Sequence, residues 1–204
     1  MAIAELADTA EVRRALQGVD TLLMVSGSES LDRVSRHQGF IDAAAASGVG
    51  HVVYTSFVGA APDASFTLAR DHWATEEHLR ASGLPYTVLR DNLYADFLPL
   101  MVGEDGALRG PAGEGRAAVV TQDDIADVAA AVLSTGLRRE IRYVPESLDE
   151  AYRSRAGYGA PGWQVDAWVS TYTAIAVGEL AQVTDHVEQL TGHPATSLAD
   201  LLLA

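Results

Sequence analysis

Strands and helices alternate through the middle of this chain, and that alternation restricts the fold more than any other feature. Short apolar runs at Thr21–Val25, His51–Thr55 and Tyr86–Leu89 have strand length and composition. Between them lie two segments of helical character, Leu31–Ser47 and Ala69–Ser82; in the first, Val34, His37, Ile41 and Ala44 recur at helical spacing and form an inner face. Strands joined through helices run parallel, and the right-handed crossover rule places successive ones side by side. The alternation therefore predicts three adjacent parallel strands with helices packed on them.

The flanking segments fit around this core. Glu11–Leu16 reads as a short helix, capped by Thr9 or Asp8 and ended by Gly18. Beyond Arg90 the pattern is helical over Leu93–Met101, then Gly-rich from Gly103 to Gly115. A short strand is expected at Ala117–Val120. A T-x-x-D capping pattern, Thr121 to Asp124, opens a helix through Leu133. The character changes at Leu137: a strand over Ile141–Val144, a helix over Leu148–Arg155, a loop over Ala156–Gly162, a long helix over Val165–Leu180 and a short one over Asp185–Thr191. This divides the chain into residues 1–136 and a smaller, mostly helical region, 137–204.

Composition excludes several kinds of chemistry. The 204 residues include no cysteine and no lysine, so thiolate metal sites, cysteine nucleophiles and Schiff bases are ruled out. A Tyr-x-x-x-Lys catalytic pair is excluded with them. The net charge of −14 gives a field that repels nucleic acid and anionic lipid. No signal-peptide pattern and no membrane-length apolar stretch is found, so the expected location is the cytoplasm.

The carboxyl ends of the three strands carry Ser26-Gly27-Ser28, Thr55-Ser56 and Arg90-Asp91-Asn92. In an open α/β sheet such turns line one crevice, and their small polar groups suit a ribose, a pyrophosphate or a carboxamide. Taken singly, each is also ordinary turn chemistry. His72 and Glu76 stand four apart on one helix face, which suits an intrahelical pair or a crevice-facing histidine that assists proton transfer. No metal site is expected, because further ligands at diagnostic spacing are missing. Gly110–Gly115 reads as a hairpin or surface loop, and Trp163, Trp168 and Tyr172 as core or dimer surface.

The runs Val19–Ser26, His51–Ser56 and Ser82–Arg90, in that order, resemble the NmrA-like branch of the atypical short-chain dehydrogenases, and within it the NAD(P)H-dependent quinone (azo-type) oxidoreductases. Asp123–Ala126 and Thr191–Pro194 match later landmarks of the same family. The resemblance implies a doubly wound, Rossmann-like parallel sheet with a helical substrate-side region. It places Asp8 beside the adenine, Ser26, Gly27 and Ser28 at the adenosine ribose and pyrophosphate, and Thr55 and Ser56 beside the nicotinamide. His72 falls on a helix position facing the active site; Asn92 and Tyr94 fall on a turn lining the nicotinamide and substrate pocket.

The implied reaction is hydride transfer from NADP or NAD, as the reduced cofactor, to a quinone-like acceptor without flavin or metal. Thr55 and Asn92 would hold the carboxamide, and His72 or Tyr94 would handle the proton. The sequence departs from the family in lacking a strand, G-x-x-G-x-x-G turn, helix and second strand ahead of Glu11, and a strand and helix after Gly136. A truncated sheet with weak or lost cofactor binding is therefore expected. The alternatives are a non-catalytic member that senses a nucleotide or binds a partner protein, and a structural protein whose sheet edge is covered by a second copy in a homodimer.

Overall fold

The computed structural model describes residues 8–119, 142–191 and 194–195. Two compact units part between Asp91 and Asn92. The boundary read from the sequence, at 136, lies outside the described residues, as do the expected helix from 121 to 133 and the Asp123–Ala126 landmark.

The first unit begins with α1 (Ala10–Leu16), capped by Thr9, whose side chain accepts from the Val12 N–H. Strands β1 (Thr21–Met24), β2 (His51–Phe57) and β3 (Tyr86–Asp91) form one sheet in the order β1-β2-β3. Both pairings are parallel, with Met24 opposite Tyr54 and Thr55 opposite Leu89. The connections are α2 (Arg33–Ala46) and α3 (Thr67–Ala81). The alternation thus gives the α/β parallel sheet expected of it.

Side-chain periods explain the packing. Met24, Val52, Tyr54 and Ser56 point to one face and are almost wholly buried. Against them α2 turns His37, Phe40, Ile41 and Ala44, and α3 turns Ala69, His72, Thr75, Glu76 and Leu79. The apolar members join Val12 and Leu16 of α1 in one core cluster. Each large apolar side chain buried there contributes about 1.5–3 kcal/mol. Val34, expected on the inner face of α2, is only partly buried; Phe40 and Ala43 are buried beside Ile41 and Ala44. Leu23, Val25 and Leu89, on the opposite face of the sheet, are exposed.

Gly50 lets β2 start where it does. A Cβ there would lie 2.8 Å from the Asp20 carbonyl oxygen, the group that accepts the His51 N–H at 2.8 Å.

In the second unit, a 3-10 helix runs over Ala95–Met101, with Pro99 inside it. A two-stranded parallel sheet pairs β4 (Ala107–Gly110) with β5 (Arg142–Pro145). Helices α4 (Leu148–Arg155), α5 (Gly162–Ala176) and α6 (His186–Thr191) follow. Two expectations need correction. The Gly-rich stretch contains β4, and residues 117–119 form no strand, because the Ala118 N–H is taken by the Leu180 carbonyl at 2.8 Å rather than by a ladder. Tyr172 is buried core, whereas Trp163 and Trp168 are half-buried. Among the described residues no helix is long and apolar enough to cross a membrane.

Candidate functional site

The carboxyl end of β1 leads into the turn Ser26-Gly27-Ser28, and side chains from three elements hold its backbone. The Ser26 N–H donates to Thr55 Oγ1 of β2 at 2.9 Å. The Gly27 N–H donates to His37 Nε2 of α2 at 2.9 Å, and Arg33 Nε donates to the Gly27 carbonyl at 2.8 Å. Beside the turn is a cavity of about 220 Å³ lined by Gly27, Ser28, Ser30, Arg33, Arg36 and His37. Two arginines therefore line it in a chain that is strongly acidic overall.

Donor and acceptor rules fix the protonation of the two buried histidines. His37 Nε2 receives the Gly27 N–H, so it presents a lone pair. Its Nδ1 lies 2.9 Å from Thr75 Oγ1, whose own proton goes to the Asp71 carbonyl at 2.8 Å. His37 is thus the neutral Nδ1–H tautomer. Arg33 can only donate, and its Nη2 lies 3.0 Å from His72 Nε2. His72 Nδ1 therefore carries the proton and donates to Tyr54 Oη at 2.9 Å. Burial first, then the positive charge of Arg33, pushes His72 down to about 2. Burial, then Arg33 and Arg36, pushes His37 down to about 4. Burial raises the Tyr54 hydroxyl to about 12, so it stays neutral too.

The residues singled out by sequence divide into groups. Ser26, Gly27, Ser28 and Thr55 come together at the turn. Ser56 lies in β2 beside Thr55, but its side chain is wholly buried and donates to Glu76 Oε1 at 2.6 Å. Glu76 also takes both arms of Arg90, at 2.9 and 2.7 Å. Glu76 and His72 thus each have other partners, which corrects the intrahelical pair suggested by their spacing. His72 is 6% exposed with both ring nitrogens engaged, one by Arg33 and one by Tyr54, so in this structure it is a buried link between them. Asp8 is exposed and forms a two-pronged pair with Arg13, both bonds 2.6 Å. Asn92 and Tyr94 belong to the second unit. Asn92 is buried, accepts from the Leu93 N–H at 2.8 Å and donates to the Leu180 carbonyl at 3.2 Å. Tyr94 meets Phe97 edge-on at 5.8 Å.

Sequence reasoning missed Arg33, Tyr54 and Thr75, and read His37 only as a face residue. A usable signal was there: Arg33, His37, Ile41 and Ala44 share one helical stripe, and ionisable groups on a core-facing stripe need partners.

Comparison with known proteins adds independent findings. The family described as NAD(P)H-binding matches residues 1–135. The chain is 32% identical to quinone oxidoreductase 2 of Escherichia coli, over 97% of this chain and 79% of that protein. It is 28% identical to an NAD(P)H azoreductase of Xenophilus azovorans, over 100% of this chain and 81% of that protein. Its fold superposes with a TM-score of 0.83 on an NADPH-dependent quinone oxidoreductase of Escherichia coli crystallised with NADPH, at 28% identity, covering 98% of this chain and 81% of that one.

Proposed function

The chain belongs to the NAD(P)H-binding family, and on that premise we propose that it is an NAD(P)H-dependent oxidoreductase acting on quinone-like or azo-type small molecules. The observation that carries this reading is the turn Ser26-Gly27-Ser28, fixed by Thr55, His37 and Arg33 beside a cavity walled by Arg33 and Arg36. Small hydroxyls and cationic groups at the carboxyl edge of a parallel sheet suit a ribose and phosphates. At about 220 Å³ the cavity fits part of a dinucleotide rather than the whole of one.

Bound there, the reduced cofactor supplies the hydride. The protein's own part is positioning and charge. Ser26 and Ser28 meet the ribose and phosphate region, Arg33 and Arg36 offset its negative charge, and Thr55 holds the strand end beside the nicotinamide. The net charge of −14 favours uncharged or cationic acceptors over polyanions.

The test is a calorimetric titration with NADPH and NADH, followed by assays of cofactor consumption with a benzoquinone and an azo dye. Binding with turnover of either acceptor supports the reading. Binding without turnover favours the nucleotide-sensing alternative, and no binding of either cofactor overturns both.

A further inference from the structure

We propose that His37 and His72 are positioning residues for the cofactor turn: His37 sets it directly through the Gly27 amide, and His72 sets it through Arg33. The inference rests on the reading of Ser26-Gly27-Ser28 as that turn.

Gly27 has no side chain, so only its backbone groups can fix its place. Its N–H is held by His37 and its carbonyl by Arg33, each at under 3 Å. Both holders stand on α2, one helical turn apart, and both are tied onward to α3. His37 reaches Thr75, and Arg33 reaches His72. His72 returns to the sheet through Tyr54, on the strand that also supplies Thr55 to the neighbouring Ser26 amide. The result is a closed circuit from β2 through α3 and α2 to the turn.

The chemistry explains why a histidine stands at 37. The Gly27 N–H needs an acceptor. A carboxylate there would place a negative charge on the wall of a cavity meant for phosphate. A hydroxyl on a short side chain would not cover the length of the imidazole. A neutral imidazole offers a lone pair at the right reach with no negative charge, and its second nitrogen is anchored by Thr75. His72 plays the matching role for Arg33. It accepts a guanidinium N–H without adding negative charge of its own, the carboxylate paired with that arginine being Asp71, 3.5 Å from Nη1.

The experiment uses the full chain and three substitutions at one position. His37→Gln keeps a neutral acceptor at the distal position, His37→Leu fills the space without one, and His37→Glu supplies an acceptor with charge. Losing one hydrogen bond from the turn should raise the NADPH dissociation constant and KM by roughly tenfold in His37→Leu, with kcat within about threefold of the parent. His37→Gln should stay within about threefold of the parent, and His37→Glu should bind more weakly than His37→Leu. His72→Leu should move the same constants in the same direction but less, because Arg33 keeps its bond to Gly27.

A merely structural role predicts instead that affinity follows thermal stability across the set. Parent-like NADPH binding by His37→Leu, or equally weak binding by His37→Gln, overturns the proposal. Should His37→Leu not fold, nitrogen NMR of the histidine-labelled parent decides. Nδ1–H tautomers at both positions, with the Gly27 and Ser28 amides shifting on NADPH addition, are expected; an Nε2–H tautomer at His37 or unmoved amides overturns it. If the parent itself binds no NADPH, the functional reading fails and this inference fails with it. If the parent binds and the variants match it, only this inference fails.

Discussion

Among the described residues each unit buries one arginine, and the two are held in different ways. Arg155, 8% exposed, is bonded at both terminal nitrogens: Nη1 donates to Glu146, the Ala151 carbonyl and Ser154 at 3.0–3.1 Å, and Nη2 donates to the Arg109 carbonyl at 3.1 Å. Its guanidinium also lies 5.1 Å from the centre of the Tyr172 ring. Arg33, 5% exposed, is held by fewer bonds. It has the Gly27 carbonyl and His72, but its buried Nη1 has no hydrogen-bond partner among the described residues, and the nearest carboxylate, Asp71, stands 3.5 Å away. Burial of a charge is therefore a poor guide to function on its own. The Arg155 partners fasten strand to helix, whereas the Arg33 set beside a cavity leaves one buried donor without a hydrogen bond and a carboxylate only at ion-pair distance.

The widest gap between the two regions should appear when each arginine is removed. Arg155→Met leaves the carboxylate of Glu146, 7% exposed, without its cation, which should cost about 3–5 kcal/mol in urea unfolding. Arg33→Met should cost less, since Asp71 is 28% exposed and can hydrate, but it should weaken NADPH binding tenfold or more by order of magnitude. Equal stability losses with unchanged NADPH affinity in Arg33→Met would erase the contrast.

Next in size is the response to acid, because the two imidazoles buried among the described residues both lie in the first unit. His37 is surrounded by Arg33 and Arg36 on its own helix, Tyr54 of β2 and Thr75 of α3. His72 faces Arg33 of α2 and Tyr54 and Phe57 of β2, with Asp71 and Glu76 near it on α3. Both titrate below the ordinary histidine value of 6.5, at about 4 and about 2. In that window the unfolded chain binds more protons than the folded one, so stability is full above pH 6.5 and falls as pH drops. Each histidine contributes at most about 1.4 kcal/mol per pH unit. The contribution of His37 ends near pH 4, and that of His72 continues lower. Urea unfolding between pH 7 and 5 should show this slope, and His37→Gln should shed up to half of it. A flat profile over that range would contradict the neutral, buried assignment.

What could be read from the sequence follows from how local each signal is. The three strands and two helices of the first unit announce themselves, since apolar runs and helical stripes are properties of neighbouring residues. The capped helix after Ser147 is legible for the same reason. Strand β4 is not, because Ala-Leu-Arg-Gly offers no alternating pattern and sits among glycines; pairing with β5, more than thirty residues away, makes it a strand. The site divides the same way. Ser26, Gly27, Ser28 and Thr55 could be placed at a strand edge, but the partnership of Arg33, His72 and Tyr54 depends on three elements meeting. The spacing of His72 and Glu76 suggested a pair, and tertiary packing gave each a different partner.

Shape sharpens the comparison further. A Cβ on Gly110 would overlap Tyr172 Cδ1 and Cε1, inside any tolerable contact. The Tyr172 ring is buried and is the same ring that faces Arg155. Gly110→Ala must therefore displace the ring or the strand, at a cost of about 1–3 kcal/mol. The loss should be confined to stability, with the NADPH constant of the folded protein unchanged. A Gly110→Ala chain as stable as the parent would show that the second unit is less tightly fitted than its distances imply.

The smallest effect compares the two units at their helix starts. Ser147 caps α4 in a reciprocal box: its Oγ accepts the Glu150 N–H at 3.3 Å, while the Glu150 carboxylate takes the Ser147 N–H at 2.9 Å and its hydroxyl at 2.7 Å. Thr9 caps α1 with a single bond, accepting the Val12 N–H at 3.1 Å. Removing a cap costs about 1 kcal/mol on average, and losing a reciprocal arrangement should cost more than losing a single bond. Ser147→Ala should therefore destabilise the chain by about 1 kcal/mol, Thr9→Ala by roughly half of that, and Ser147→Thr by little, since threonine also caps. The predicted order is thus that Ser147→Ala melts lowest, then Thr9→Ala, then Ser147→Thr. The reverse order for the two alanines would mean that α1, which contributes Val12 and Leu16 to the first core, depends on its cap more than α4 does. That result would shift the weight of local stability to the unit that carries the turn Ser26-Gly27-Ser28.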